Sequence, residues 1–77
     1  MEIQIFIKNF ASQFDETDAS LFNEATKFRE IEEWSSFLAL SIIAMVDEEY
    51  KVKIKGEDML KSQTIADLYN IVKSRIQ

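Results

Sequence analysis

The sequence contains no cysteine, no histidine and no proline, and its only glycine is Gly56. Without cysteine the chain has no disulfide, no thiolate nucleophile and no Cys-ligated zinc. Without histidine it lacks the usual general base at neutral pH and the commonest metal ligand. The shortage of proline and glycine leaves few sharp turns and favours long helices. We therefore predict a helical protein that is not an enzyme and holds no metal.

The charge balance is acidic, with 14 Asp and Glu against 9 Lys and Arg and a net charge of -5. Nucleic-acid binding needs cations that displace the counterions of phosphate, so a basic protein is the better partner. No stretch approaches the roughly 20 apolar residues that cross a bilayer, and the N-terminus lacks the basic region of a signal peptide. We expect one cytoplasmic, monomeric domain over residues 1–77.

Hydrophobic periodicity predicts a first helix over residues 2–14. Alternation of Ile3, Ile5 and Ile7 also resembles a strand, and a helix leaves Ile5 misplaced on its polar side, but only the helix also accounts for Phe10 and Phe14. The apolar residues that share one arc about 100° wide are Ile3, Phe6, Ile7, Phe10 and Phe14. We therefore prefer the helix.

Residues 15–35 alternate acidic side chains with scattered apolar ones. The pattern predicts a long connection, part of it helical within 18–25, which its aromatic residues hold against the core. A connection of this length is uncommon in a small domain unless it has a function.

Residues 36–50 form the most informative predicted helix, because both of its faces carry apolar residues. One face is bulky and predicted to be core: Ala39, Ile42, Ile43, Val46 and Tyr50. The other face mixes apolar side chains, a hydroxyl and carboxylates: Phe37, Leu40, Ser41, Ala44, Asp47 and Glu48. Such a mixed surface is a candidate protein-binding site. The alternative is a helix that is buried on nearly all sides.

The last third of the chain predicts two more helices. Residues 50–56 form an extended connection that turns Tyr50, Val52 and Ile54 inward, and Glu57 to Lys61 suits one short helical turn. Thr64 can cap a final helix, with Asp67 three positions later. The apolar arc of that helix comprises Ile65, Leu68, Tyr69, Val72 and Ile76.

Two serines, Ser35 and Ser36, stand at the start of helix 36–50. A serine there can cap the free backbone N–H groups. Because a helix N-terminus favours negative charge, the serine can instead carry a phosphodiester. The residue pattern alone leaves both uses open.

From about Phe28 to Ile76 the chain resembles the acyl carrier proteins, small domains that bear phosphopantetheine. The segments that carry the resemblance are Trp34-Ser35-Ser36-Phe37, Asp47-Glu48-Glu49-Tyr50, Val52-Lys53-Ile54 and Thr64-Ile65-Ala66-Asp67-Leu68. They occur in the family's order and at its separations. The resemblance implies a small four-helix bundle with three longer helices, one short helix and a long first loop.

The resemblance also implies a covalent 4′-phosphopantetheine on Ser36. In the family, fourteen positions separate the modified serine from the aromatic residue that ends the helix, and counting back from Tyr50 reaches Ser36. Ser35 stands where the family usually has Asp, and it is the less favoured attachment point.

The implied function is to hold acyl or aminoacyl groups as thioesters in fatty-acid, polyketide or related specialised biosynthesis. Its partners would be a phosphopantetheinyl transferase and acyl-loading and acyl-transfer enzymes. The core would open to hold an aliphatic chain between Ile43, Val46, Ile54, Leu60, Ile65, Leu68 and Tyr69. The alternative is an acidic helical adaptor or inhibitor that binds a basic protein through helix 36–50 without a cofactor.

Overall fold

Four α-helices supply the regular structure of residues 2–76, the part of the chain that the computed structural model describes. They are α1 (Ile3–Ala11), α2 (Ser36–Tyr50), α3 (Gly56–Lys61) and α4 (Ile65–Arg75), with 3-10 turns at Ala19–Leu21 and Phe28–Glu30. No strand occurs in this range. The radius of gyration is 11.2 Å, close to the roughly 11.5 Å expected for a compact chain of this length. The predicted all-helical class, with three longer helices and one short helix, is confirmed.

Helix α1 is shorter than the predicted helix 2–14, but its faces are as expected. Phe6 and Phe10 are fully buried and Ile5 is 54% exposed. After Ala11 the α-helix ends in a tighter turn, in which Phe14 N–H donates to the Ala11 carbonyl at 3.0 Å, three residues back instead of four. Phe14 still reaches the core, and the strand alternative for this segment is wrong.

The connection between α1 and α2 is long and is held by its aromatic residues, as predicted. Within 18–25 only the 3-10 turn Ala19–Leu21 is helical. Phe22 and Phe28 are buried and Trp34 packs against the core. Ring centroids lie 4.9 Å apart for Phe14 and Phe22, and 5.1 Å apart for Phe28 and Trp34.

These rings belong to one aromatic cluster that joins α1, the connection, α2 and α4. Its members are Phe6, Phe10, Phe14, Phe22, Phe28, Trp34, Tyr50 and Tyr69. The chain has six phenylalanines, one tryptophan and two tyrosines, so Phe37 is the one aromatic residue outside the cluster.

Helix α2 has the predicted bounds, but its buried arc is rotated from the predicted one. Leu38 and Met45 are buried, although the sequence pattern does not place them on the core face. Ala39, Ile43 and Tyr50 are only partly buried. Since α2 is apolar on most of its circumference, its packing against the neighbouring elements, and not its own pattern, decides which arc is covered.

The segment after α2 is extended, as predicted, with Val52 and Ile54 buried. It starts at Lys51, whose left-handed backbone (φ 57°, ψ 35°) ends the helix.

The Tyr50 hydroxyl accepts a hydrogen bond from Asn9 Nδ2 at 2.9 Å. Burial raises the pKa of this phenol. The hydrogen bond from Asn9 opposes part of that increase, and the charge of Glu49 adds a smaller increase.

Two predictions for the C-terminal third are wrong. Leu60 is 69% exposed and not in the core, because Asp58 and Met59 form the inner side of the short helix α3. Ile76 lies beyond the end of α4 and is 40% exposed. The predicted cap of α4 is confirmed: Asp67 N–H donates to Thr64 Oγ1 at 3.2 Å, while the Asp67 carboxylate accepts Thr64 N–H at 3.1 Å.

Candidate functional site

The two serines at the start of α2 have different environments. Ser35 is the N-cap residue, and its hydroxyl accepts a hydrogen bond from Leu38 N–H at 3.3 Å. Ser36 is the first residue of α2 and is exposed. Within residues 2–76 its side chain has no hydrogen-bond partner. Both serines are exposed, and they differ in that the Ser35 hydroxyl caps the helix whereas the Ser36 hydroxyl has no partner among the described residues.

The backbone around Ser36 favours a bound anion. The first N–H groups of a helix have no acceptor within the helix, and the helix dipole adds partial positive charge at this end. Ser35 satisfies the N–H of Leu38, which leaves the N–H groups of Ser36 and Phe37 without an intrahelical acceptor. A phosphate ester on Ser36 would lie in this favourable field.

A groove of about 560 Å³ opens beside Ser36, between α2 and α3. Its walls are mainly apolar, and Arg29 supplies a cation. The residues that line it are Arg29, Trp34, Ser35, Ser36, Ala39, Leu40, Ile43, Gly56, Met59 and Leu60. The sequence pattern did not identify Arg29 or Met59 as part of a site, because only the packing of the connection and α3 against α2 brings these side chains to the groove.

The predicted partner-binding face of α2 is exposed around Ser36. Phe37 is 75% exposed and Leu40 is 66% exposed. With Leu60 of α3 they account for three of the six large hydrophobic residues that are exposed in the described part of the chain. We call Phe37, Leu40 and Leu60 the apolar strip. Since Leu40 and Leu60 also line the groove, the strip is continuous with it.

The other residues predicted on this face are less uniform. Ala44 and Glu48 are exposed, whereas Ser41 and Asp47 are half-buried. Asp47 forms an exposed ion pair with Lys53, with an N–O distance of 3.4 Å. The face is thus most apolar near Ser36 and more polar toward the end of α2.

The acidic residues before α2 differ in whether they are bonded within the chain. Glu33 accepts hydrogen bonds from Asp15 N–H at 2.8 Å, Glu16 N–H at 3.0 Å and the Thr17 hydroxyl at 2.8 Å. Partial burial raises the pKa of Glu33, but these hydrogen bonds outweigh it and hold the pKa below the ordinary value. Glu33 therefore joins the two ends of the connection, while Glu30 and Glu32 stay exposed.

Other classes of site have little support in the described residues. Within residues 2–76 no three acidic side chains are grouped so that they could hold a metal ion. A second groove is lined by four carboxylates, Glu16, Asp18, Glu32 and Glu33, with Thr17, Leu21 and Ile31, and its one hydroxyl, that of Thr17, donates to Glu33. None of the helices described is long and apolar enough to pass through a membrane.

Comparison of the chain with protein-family models, with curated proteins and with solved structures finds no match. The residues around Ser36 and the resemblance of the sequence to the acyl carrier proteins are therefore the two observations that bear on function.

Proposed function

We propose that the protein is an acyl carrier protein and that Ser36 carries a covalent 4′-phosphopantetheine. The observation that supports this most is the pair of serines at the start of α2. The residue that the family resemblance selects for modification is exposed and has no hydrogen-bond partner for its side chain within residues 2–76, whereas the Ser35 hydroxyl is engaged in capping the helix.

The residues around Ser36 fit this group. Its phosphate would attach to Ser36 Oγ, near the free N–H groups that begin α2. The groove between α2 and α3 offers about 560 Å³ of largely apolar space to the arm and its cargo. When bound, the group supplies a thiol that holds an acyl or aminoacyl group as a thioester. The absence of cysteine from the chain makes that thiol the single one.

The apolar strip would contact the partner enzymes. Apolar contacts are less sensitive to salt than contacts between surface charges. Docking on Phe37 and Leu40 should therefore persist at ionic strengths that weaken a purely charged interface. The partners would be a phosphopantetheinyl transferase and the enzymes that load and transfer the acyl group, in fatty-acid, polyketide or related biosynthesis.

The decisive experiment is co-expression with a phosphopantetheinyl transferase, followed by intact-mass measurement. We expect a gain of one phosphopantetheine group in the wild type and none in Ser36→Ala. Ser35→Asp is the matched control. Because Asp keeps the N-cap, this variant should still be modified on Ser36. Modification of Ser36→Ala, or no modification of the wild type by several transferases, would refute the proposal.

A second test addresses the apolar strip. We expect Leu40→Glu to reduce modification or acyl transfer roughly tenfold, the scale of one interface hot spot. Because Leu40 is 66% exposed, circular dichroism should show unchanged helicity. A large loss of helicity would instead show that Leu40 supports the fold.

The apolar strip would also serve the alternative function, that of an adaptor or inhibitor without a cofactor. If the wild type is never modified, the strip and the acidic end of α2 remain a surface for a basic protein, as in an adaptor or inhibitor. A partner that binds the wild type and Ser36→Ala equally, but not Leu40→Glu, would support that function.

A further inference from the structure

The chain has two arginines, Arg29 and Arg75, and they differ in what they bind. Arg75 donates to the Asp58 carboxylate through both terminal nitrogens, at 2.8 and 2.9 Å. The Asp58 side chain is only 4% exposed and also accepts Lys55 N–H at 2.9 Å. The charge of Arg75 is therefore balanced by a carboxylate of its own chain, in the bidentate arrangement that suits the two groups best.

Arg29 has no carboxylate partner within residues 2–76. Its Nη2 atom donates to the Ser62 carbonyl at 2.9 Å and to the Leu60 carbonyl at 3.4 Å. These carbonyls lie at the end of α3, where a helix lacks internal donors. The Nε and Nη1 atoms of Arg29 have no hydrogen-bond partner in the same range. The contacts with α3 thus position the guanidinium and leave its other donors available to a ligand.

Arg29 is also the one charged residue among the described residues that line the groove between α2 and α3. None of them is acidic, although the chain has 14 acidic residues and a net charge of -5. Glu30, the next residue in the sequence, lines a separate and smaller groove. Most of the other lining residues are apolar: Trp34, Ala39, Leu40, Ile43, Met59 and Leu60. A groove of this composition complements an apolar chain that carries one negative charge.

We propose that Arg29 determines which cargo the groove accepts, and that this cargo is an acyl group whose far end carries a carboxylate. The apolar walls contact the chain, and the guanidinium pairs with the carboxylate. A plain aliphatic chain fills the same walls but leaves the charge of Arg29 without a partner. The inference rests on the proposed function, in which the groove receives the cargo, and it adds the charge that this cargo carries.

Ligand binding to the unmodified protein tests this proposal, with monomethyl suberate and dimethyl suberate as probes. The two esters share one chain, a methyl ester stands in for the thioester end, and only the monoester has a free carboxylate. Trp34, the single tryptophan of the chain, lines the groove, so its fluorescence measures binding. We expect the wild type to bind the monoester about five- to tenfold more tightly than the diester. This is the scale of one charged hydrogen bond at an exposed site.

Variants of two neighbouring cations separate a direct contact from the general effect of charge. Arg29→Gln should bind the two esters with nearly equal affinity, because the amide keeps a donor but loses the charge, and its affinity for the diester should not change. Arg29→Lys, which keeps the charge but not the fork of donors, should retain part of the preference. Lys27→Gln is the matched control. It removes the same charge two positions away from a residue that does not line the groove, so the preference for the monoester should persist.

Equal binding of the two esters to the wild type, or binding of neither, would overturn the proposal. A preference for the monoester that persists in Arg29→Gln would assign the carboxylate to another group and would also overturn it. If Arg29→Gln does not fold, an undiminished preference in Arg29→Lys has the same meaning. Because Ser36 is unmodified in these measurements, their outcome is separate from that of the transferase experiment. A retained preference in a protein that no transferase modifies would refute the carrier function and leave the selectivity of the groove in place.

Discussion

Where α1 meets the long connection, phenylalanine rings lie inside the molecule, whereas at the start of α2 Phe37 lies 75% exposed on the surface. Phe10 has ring contacts with Phe6, Phe14, Phe22 and Phe28, at centroid distances of 5.4 to 6.4 Å. Phe37 has no ring contact among the described residues. The difference shows that one residue type stabilises the fold in one region and is available to a partner in the other.

The two regions also differ in how their elements are held. Interlocking rings join the connection to α1, so moving one ring opens several contacts at once. At the other end, α3 is held by Arg29 and Arg75 and buries little apolar surface. Each of these polar contacts can break without the other. Helix α3, which lies beside the groove at Ser36, is therefore held less rigidly than the aromatic cluster.

The largest expected effect comes from the aromatic cluster. We expect Phe10→Ala to lower the free energy of unfolding by about 3–5 kcal/mol, since a fully buried ring is replaced by a cavity. Phe37→Ala should change it by less than about 0.5 kcal/mol. Urea denaturation followed by circular dichroism measures both. Similar losses in the two variants would contradict the division into a buried and an available region.

The next largest effect concerns the attachment of α3. We expect Asp58→Asn to cost about 2 kcal/mol, because it leaves Arg75 without its charged partner and Arg75 is partly solvated. Lys53→Gln removes an exposed pair and should cost less than about 0.5 kcal/mol. Equal costs would show that burial of Asp58 adds nothing to its ion pair.

The same carboxylate predicts a dependence on acid. The Arg75 hydrogen bonds lower the pKa of Asp58 from 3.8 to about 2, against a smaller opposing effect of burial. A lowered folded-state pKa means that ionised Asp58 stabilises the fold fully above pH 3.8. That stabilisation is lost as the pH falls toward 2. Between pH 5 and 2, denaturation curves of Asp58→Asn should therefore shift less than those of the wild type, and a shift of equal size would refute this assignment.

A smaller effect distinguishes the two serines. We expect Ser35→Ala to cost about 1 kcal/mol, because it removes the acceptor for Leu38 N–H. Ser36→Ala should be neutral within about 0.5 kcal/mol, as its hydroxyl has no partner in residues 2–76 and Ala is a good helix former. Thermal unfolding of the unmodified proteins measures the difference. A larger loss in Ser36→Ala than in Ser35→Ala would show that Ser36, and not Ser35, caps α2.

The smallest expected effect is a gain at the end of α2. Lys51 has a left-handed backbone (φ 57°), which costs a residue with a side chain more than it costs glycine. We expect Lys51→Gly to raise the free energy of unfolding by about 0.5–1 kcal/mol. Lys51→Ala keeps the unfavourable conformation and should bring no such gain. A loss in Lys51→Gly would show that the Lys51 side chain stabilises the fold.

Local signals predicted the elements well where one pattern dominates. The bounds of α2 follow from the serine pair at its start and from the alternating, extended pattern of residues 50–56 at its end. Thr64 and Asp67 predict the start of α4 because their reciprocal hydrogen bonds are local. The sequence of α3 is too short for periodicity to assign its faces, and this explains the error at Leu60.

The candidate site was only partly predictable. The choice of Ser36 comes from the resemblance to the acyl carrier proteins, and the exposure of Phe37 and Leu40 follows from the two-faced pattern of α2. The contributions of Arg29, Met59 and Leu60 to the groove depend on contacts between the long connection, α2 and α3, for which a single sequence has no local signal. The same is true of the Arg75 bond to Asp58, since a charged residue in a last helical turn is usually only solvated.

By itself the sequence determined the helical class, the order of the helices and the serine pair at the start of α2, because these depend on local hydrogen bonds and on the spacing of apolar residues. Only the tertiary structure decided which arc of α2 is covered and which two arginines hold α3. Those outcomes depend on which distant segments pack together, and a helix that is apolar on most sides fits more than one packing.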